Sequence, residues 1–556
     1  MGLSKVRLSL ALCALPLLLA AQEPMSDPKH HALFMMQSQS IDEALVRYVE
    51  YAAARGHDFE VLQRMGQIFF SHGIQSEDLG EFTMTLFGAG LSGSSASLEI
   101  LERGLYSEDP QIQMIAIHFI AKLDDDRVHE LLSRAMSSPF LSTRMEAAYY
   151  MSMKKHPHAV GQIEGLMVRL PPFFRPFFPS LFALIGTSDA TAALKRLLDD
   201  LDPQVRVESI LNIARLGRDD LLPILRKRLT QHFGPELEAC AFAMGALKDS
   251  QSLTKLKRLA NSPMDNVKIA AILSLYHLGE RSYVSDLEKL AQKNSLFAIA
   301  ALAHIPTSGD ILAELILSKD LQVRVNAAVS LAQLRDSRCL AEAEEILIRD
   351  SRDLAFCPFP SPGRSMGIWK AIPSAELRSK DETCNLSLSL SMREQLLGEL
   401  AHLEQKKFVA LARRLFEAQQ LDLIPSTIAF LENLRTPEAI DLLKEGAAKM
   451  TSPLIRDYCH LSLYRLKEEG PHEEHVKFWV MQQKDAELIR LRPILPWKMR
   501  LESDFVLTAE ETSRLLIDSF VAIATSRNVD FLLQAIRQGN PQNRYALFGL
   551  LMRATE

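Results

Sequence analysis

Long hydrophobic runs are scarce in this 556-residue chain. A helix needs about 20 consecutive apolar residues to cross a bilayer, and no segment after the first 21 residues supplies them. Metal-type cysteine spacing is missing too. The six cysteines include no C-x-x-C pair, which removes the usual sequence case for structural zinc. Positive charge is also in short supply, with 63 Lys and Arg against 69 Asp and Glu, a net of −6. Setting aside the first 21 residues, which hold Lys5 and Arg7 and no acid, leaves −8. Such a balance disfavours general affinity for phosphate backbones, so no nucleic-acid partner is expected. What remains is 47% hydrophobic and 24% charged, the composition of a folded protein rather than a disordered one.

The first 21 residues read as an address. Lys5 and Arg7 precede an apolar stretch from Leu8 to Leu19, and Leu19-Ala20-Ala21 ends it on small residues before Gln22. Charged start, short apolar core and small-residue exit describe a secretory signal peptide, and a core of about 12 residues is too short for a span. The chain is therefore expected to be exported, to a periplasm or beyond it. Membrane association follows only if this segment is retained.

Beyond residue 40 the apolar residues recur at helical spacing and then as a larger repeat. The last apolar residue before each turn falls at Leu91, Leu123, Met153, Ile185, Leu216, Leu247, Leu278, Ile305 and Leu334. A period near 31 without strand alternation marks stacked helical hairpins, each too small to bury its apolar face alone. The fold class expected is all-α, an α-solenoid. Clear copies read DPQIQMIAIHFIAKL from Asp109 and DPQVRVESILNIARL from Asp202. Others are DNVKIAAILSLYHL from Asp265 and DLQVRVNAAVSLAQL from Asp320. Asp109, Asp202 and Asp320 are N-capping carboxylates, and Pro110 and Pro203 sit at the first helical position, where a missing N–H does no harm. Arg206, Lys268 and Arg324 recur at one repeat position. Their expected role is a structural ladder of charges beside the caps, worth about 0.3–0.5 kcal/mol per exposed pair.

The pattern D-x-x-V-R-x-x-A-A-x-x-L-x-x-L, legible from Asp202 and from Asp320, resembles HEAT repeats of the short class found in phycobilin-lyase-type proteins. The likeness covers about residues 80–350. It implies an α-solenoid, as in a bacterial exported protein of that build, whose kind mostly binds other proteins. A minority attach bilin chromophores.

The chain divides into a leader at 1–21, a repeat array at 22–350, an irregular insertion at 351–390, and C-terminal helical repeats with a cap at 391–556. Residues 22–40 read as a loose lead-in. Within the array, prolines and aromatics crowd Pro171 to Phe178, and Phe173, Phe174, Phe177 and Phe178 are candidate partner-binding residues. The insertion contributes Phe356, Phe359 and Trp369. Its cysteines, Cys357 and Cys384, form the one candidate disulfide, whereas Cys240 and Cys459 fall on aliphatic helix faces as buried thiols.

Four motifs invite sharper readings. Gly88-Ala89-Gly90-Leu91-Ser92-Gly93 fits G-x-G-x-x-G, but a dinucleotide site needs a preceding strand and the segment before it is helical. Gly363-Arg364-Ser365-Met366-Gly367 fits G-x-S-x-G, yet a nucleophile elbow needs an α/β sheet. His472-Glu473-Glu474-His475 spaces its histidines by three, not four, at a helix start where acids suit the dipole; His156-Pro157-His158 reads as a surface turn. No residue is assigned a catalytic, metal or cofactor role. The chain is expected to be a non-catalytic scaffold for a protein partner. Its rivals are a ligand- or chromophore-handling protein and a structural envelope component.

Overall fold

The computed structural model describes residues 27–156, 158–231, 234–348, 353–358, 367–373, 386–486, 488 and 511–556. The leader, Phe359, Cys384 and the stretch from Gly363 to Met366 lie outside them. Among the described residues every element is helical except one antiparallel pair, β1 (Leu354–Pro358) and β2 (Trp369–Pro373). The protein is an all-α solenoid of stacked helical hairpins. It forms two units: one continuous, Leu132–Val476, the other joining residues up to Leu131 to those from Lys477 onward.

The repeat is more regular than its apolar pattern suggests. The first helix of successive hairpins begins at Leu79, Pro110, Leu141, Pro172, Pro203, Gly234, Asp265 and Leu296, seven steps of 31 residues. Several close on a residue of positive φ fourteen positions after their first: Gly93, Lys155, Gly186, Gly217, Lys248, Gly279 and Arg335. A left-handed residue there ends the i→i−4 ladder and turns the chain, and glycine takes it without a Cβ penalty. The following helix is led in by a side chain accepting a backbone N–H at Ser94, Asp125, His156, Thr187 and Asp249, again at multiples of 31. One unit breaks the step: Leu296–Leu302 has 7 residues where Asp265–His277 and Leu321–Gln333 have 13. Six missing residues move the next start to Leu321, 25 on. The apolar series registers this only as two short intervals.

Capping carboxylates sit at the expected places. Asp109, Asp202 and Asp320 accept from Gln111, Gln204 and Gln322 N–H at 2.7–2.8 Å. Among the described residues the repeat cations do not bond the cap carboxylates; Arg206 instead bonds a carboxylate in the next repeat. Arg206 donates to the Asp200 and Leu201 carbonyls and to Glu236. Arg324 likewise takes the Ser318 and Lys319 carbonyls, six and five residues back, and Glu342. Arg456 repeats the carbonyl pattern at Met450 and Thr451, and Gln113, where the arginine is replaced, still reaches the Ser107 carbonyl. The long side chain thus satisfies carbonyls exposed by the preceding turn. Lys268, half-buried at the same position, forms no ion pair among the described residues.

In the discontinuous unit, helix Arg544–Thr555 lies on Phe59–Gly73 and Leu79–Ser92. Glycines make this possible: a Cβ on Gly549 would meet the Gly88 carbonyl oxygen at 2.0 Å, and one on Gly66 would meet Met552 Sδ at 2.5 Å. Phe69 stacks against Tyr545 and Phe548, while Gln63 Nε2 donates to the Met552 carbonyl and to Thr555 Oγ1. The G-x-G-x-x-G segment is thereby explained without a nucleotide. Gly88 admits the crossing helix, Gly90 seats the Phe119 ring, and Gly93 terminates the helix in the left-handed region. The lead-in reading of 22–40 fails from Pro28 onward. Asp27-Pro28 starts a helix to Gln37 that buries Ala32 and Met36, by the same cap-and-proline device as the repeats.

The insertion at 351–390 is not wholly irregular. β1 and β2 pair in register Phe356↔Ala371, and the Ser/Leu alternation from Leu386 opens helix Leu386–Leu400 rather than continuing a loop. Helix Leu321–Gln333 packs against β2 and helix Leu386–Leu400 against β1. Ala355, Cys357 and Ile372 form a small core with Leu388.

Candidate binding face

The second and sixth residues of a long helix lie four apart, on one side of it. On helix Leu321–Gln333 these are Gln322 and Asn326, and that side holds β2. Gln322 donates through Nε2 to the Ala371 carbonyl at 2.7 Å and accepts the Ala371 N–H at 2.9 Å. Asn326 does the same with Trp369, at 2.8 Å in both directions. The match is geometric. Four helical residues rise about 6 Å, and two strand residues span about 6.6–6.8 Å. Two side-chain amides therefore stand in for a third strand, and Phe356 N–H on the other edge is taken by Ser389 Oγ.

The second and sixth residues of helix Pro172–Ile185 are Phe173 and Phe177; its first turns are 3-10, where residues four apart stand about a third of a turn apart rather than on one side. These rings are 68% and 48% exposed, and Leu184, near the helix end, is exposed as well. On the preceding neighbour, Leu141–Met153, Glu146 is sixth and the exposed Met153 thirteenth; on the following one, Pro203–Arg215, Gln204 is second, Glu208 sixth and Arg215 thirteenth. Isolated exposed apolar side chains are ordinary. Met153, Phe173, Phe177 and Leu184 instead cluster on two adjacent helices, and such a cluster marks a candidate surface for contact. The aromatic turn is fixed from below, since Arg175 Nη2 donates to Asp200 at 2.5 Å and Phe178 is buried.

Electrostatics set this face apart. Burial pushes the Glu146 carboxyl up to about 7, and burial, then Glu146, raises Tyr150 to about 12. Glu208 adds a second carboxyl one helix beyond Phe177.

Of the residues singled out by sequence, Phe173 and Phe177 are open and Phe174 is half-buried with its ring 4.1 Å from Phe173. Phe178, Phe356 and Trp369 are buried, the last two against each other at 6.0 Å, so they present nothing to a partner. Cys357 is buried and free, with its candidate partner Cys384 outside the described residues. Cys240 and Cys459 are buried thiols whose titration burial pushes up. His156 is not at the surface; its Nδ1 accepts the His158 N–H and caps the next helix. His472 and His475 meet His460 rather than each other's helix turn: His460 and His472 Nδ1 are 3.0 Å apart, and the His475 ring stacks on His460 at 3.7 Å while its Nε2 reaches Asp457. Burial lowers His460 to about 4 and lowers His472. Among the described residues no group of three or more His, Cys, Asp or Glu is arranged to hold a metal ion.

No family model matches the chain, and no curated protein does. Solved structures do. The karyopherin Kap121p matches over 95% of this chain and 64% of its own, at 14% identity and a TM-score of 0.36. A Kap95p structure matches over 96% of this chain and 83% of its own, at 11% and 0.30. The chain thus spans under two thirds of the Kap121p chain.

Gln204, Gln322, Asn326, Glu146 and Glu208 escape a reading by apolar periodicity, because polar residues on a helix face look solvated. Counting from the caps finds them. Gln follows the cap by two at Gln111, Gln204 and Gln322 alike.

Proposed function

We propose that this chain is an exported, non-catalytic scaffold that binds a protein partner through the side of helices Leu141–Met153, Pro172–Ile185 and Pro203–Arg215 bearing Met153, Phe173, Phe177 and Leu184. One observation supports it most: two phenylalanines are held open on a turn that is itself pinned by Arg175 and Asp200. A rigid aromatic pair offers large apolar area at little entropic cost on binding. Export rests on the composition of the first 21 residues. Affinity capture from the compartment where the chain is native, run beside the Phe173→Ser/Phe177→Ser double variant, tests the binding surface. Recovery of one protein should fall at least tenfold with the variant's thermal melt unchanged; equal recovery overturns the assignment. Mass analysis of the mature chain tests export, with an N-terminus at Gln22 expected and an intact Met1 opposing it.

A further inference from the structure

Resting on the binding surface just proposed, we infer that the partner segment is an extended strand, captured along helix Pro203–Arg215 as β2 is captured along helix Leu321–Gln333. The argument begins with the protein's own precedent. Gln322 and Asn326 read backbone groups of residues two apart, and need no particular side chain to do so. Gln204 occupies the position of Gln322 on a helix of the same length, 13 residues, with the same aspartate cap and the same arginine at its fourth place. It is exposed.

The neighbouring helix repeats the arrangement too. One repeat before the strand-holding helix, Leu296–Leu302 has Phe297 as its second residue; one repeat before Pro203–Arg215, Phe173 is second on Pro172–Ile185. A phenylalanine second on one repeat and a glutamine second on the next therefore occur twice in the array. In one copy a strand lies along the glutamine helix. In the other the position is open, and Phe177 extends its apolar side. The difference lies at the sixth residue, where Glu208 replaces the amide of Asn326. Acidity comes from Glu146, on the neighbouring helix Leu141–Met153 beyond the phenylalanines. The occupant so defined is an extended segment with apolar side chains on alternate residues and a Lys or Arg near one end. Its backbone is bonded by Gln204, its apolar face lies on Phe173 and Phe177, and its cation turns toward Glu146.

Selection of a random dodecapeptide library displayed on phage against the full chain tests this, followed by fluorescence anisotropy with the selected peptides made synthetically. Peptides of the stated pattern are expected. Their affinity should fall at least tenfold with Phe173→Ser/Phe177→Ser and about tenfold with Gln204→Leu. N-methylation of one peptide N–H should weaken binding to the parent chain by a similar factor, and to Gln204→Leu scarcely at all, since both changes remove one contact. Gln204 is exposed, so thermal melts of this variant should match the parent. Binding that needs the phenylalanines but ignores Gln204, or losses that multiply in the combined test, overturns strand capture and leaves the apolar surface standing. If no selected peptide depends on Phe173 and Phe177, both fall.

Discussion

Helices Pro203–Arg215 and Leu321–Gln333 are near copies with opposite fates. Each has 13 residues, an aspartate cap, glutamine second and arginine fourth. One has its amide side covered by a strand from its own chain; on the other, Gln204 is exposed. The comparison teaches that in a stacked array the repeat fixes which side of each helix is available, and the neighbouring chain decides whether that side is used. The hairpin is positioned to cover Gln322 and Asn326, and it also joins the regular array to the looser repeats beginning at Leu386.

The covered side is the place to break the comparison hardest. Asn326→Ala leaves the buried Trp369 N–H and carbonyl unpaired, and each such group costs about 1–3 kcal/mol. A loss of roughly 2–4 kcal/mol in denaturant unfolding is expected; a change under about 0.5 would mean that the strand is held by packing alone.

Titration should separate the two sides next. Gln322 and Asn326 carry no charge at any pH, whereas Glu146 beside the open side does. Its folded value, about 7, stands above the ordinary 4.5, so the folded chain holds that proton more tightly. The sign follows: this contribution to stability is full below about 4.5 and lost as pH rises to about 7. Glu146→Gln should stabilise the protein at pH 8 by roughly 1–3 kcal/mol and flatten that part of the profile. Unchanged melts at pH 8 would refute the buried carboxyl.

The two arginines give a smaller contrast. Arg206 binds Glu236, which is almost fully buried and also takes Arg228, while the Arg324 partner Glu342 is more open. Arg206→Gln should cost about 1–3 kcal/mol, hydrogen bonds to charged groups being worth that much when buried. Arg324→Gln should cost less by about 1 kcal/mol, since exposed pairs contribute little. Equal costs would show that the carbonyl contacts, common to both, dominate. Smallest of all, Phe173→Ser should move stability by no more than about 0.5 kcal/mol. A drop above about 2 would place that ring in the core and remove the binding surface.

Much of the architecture was legible in advance. Apolar residues near every 31st position required hairpins, and Asp-Pro and Asp-Leu starts located their caps, because capping is local chemistry that needs no distant partner. Asp27-Pro28 carried the same signal, and weight given to polarity across 22–40 hid it. The candidate site was half legible. Phe173 and Phe177 stood out by composition, but Phe178, one residue on, is core; facing within a tight 3-10 turn depends on what packs beneath, here the turn bound by Arg175 and Asp200. Phe356 and Trp369 looked like loop aromatics and are the buried centre of a hairpin, whose edges are satisfied by Gln322, Asn326 and Ser389 from helices before and after it.

By itself, then, the sequence determined the class of fold, the length of its repeat and the places where helices begin, all set by contacts within a few residues. Tertiary structure alone decided which polar residues are spoken for. It brought helix Arg544–Thr555 onto Gly88 across a separation of 461 positions, from 88 to 549. It also bonded Trp369 to Asn326, 43 positions back, while leaving Gln204 open. Such pairings depend on shape at close approach, where a missing Cβ or an amide at the right height along a helix determines the contact, and no local pattern encodes that.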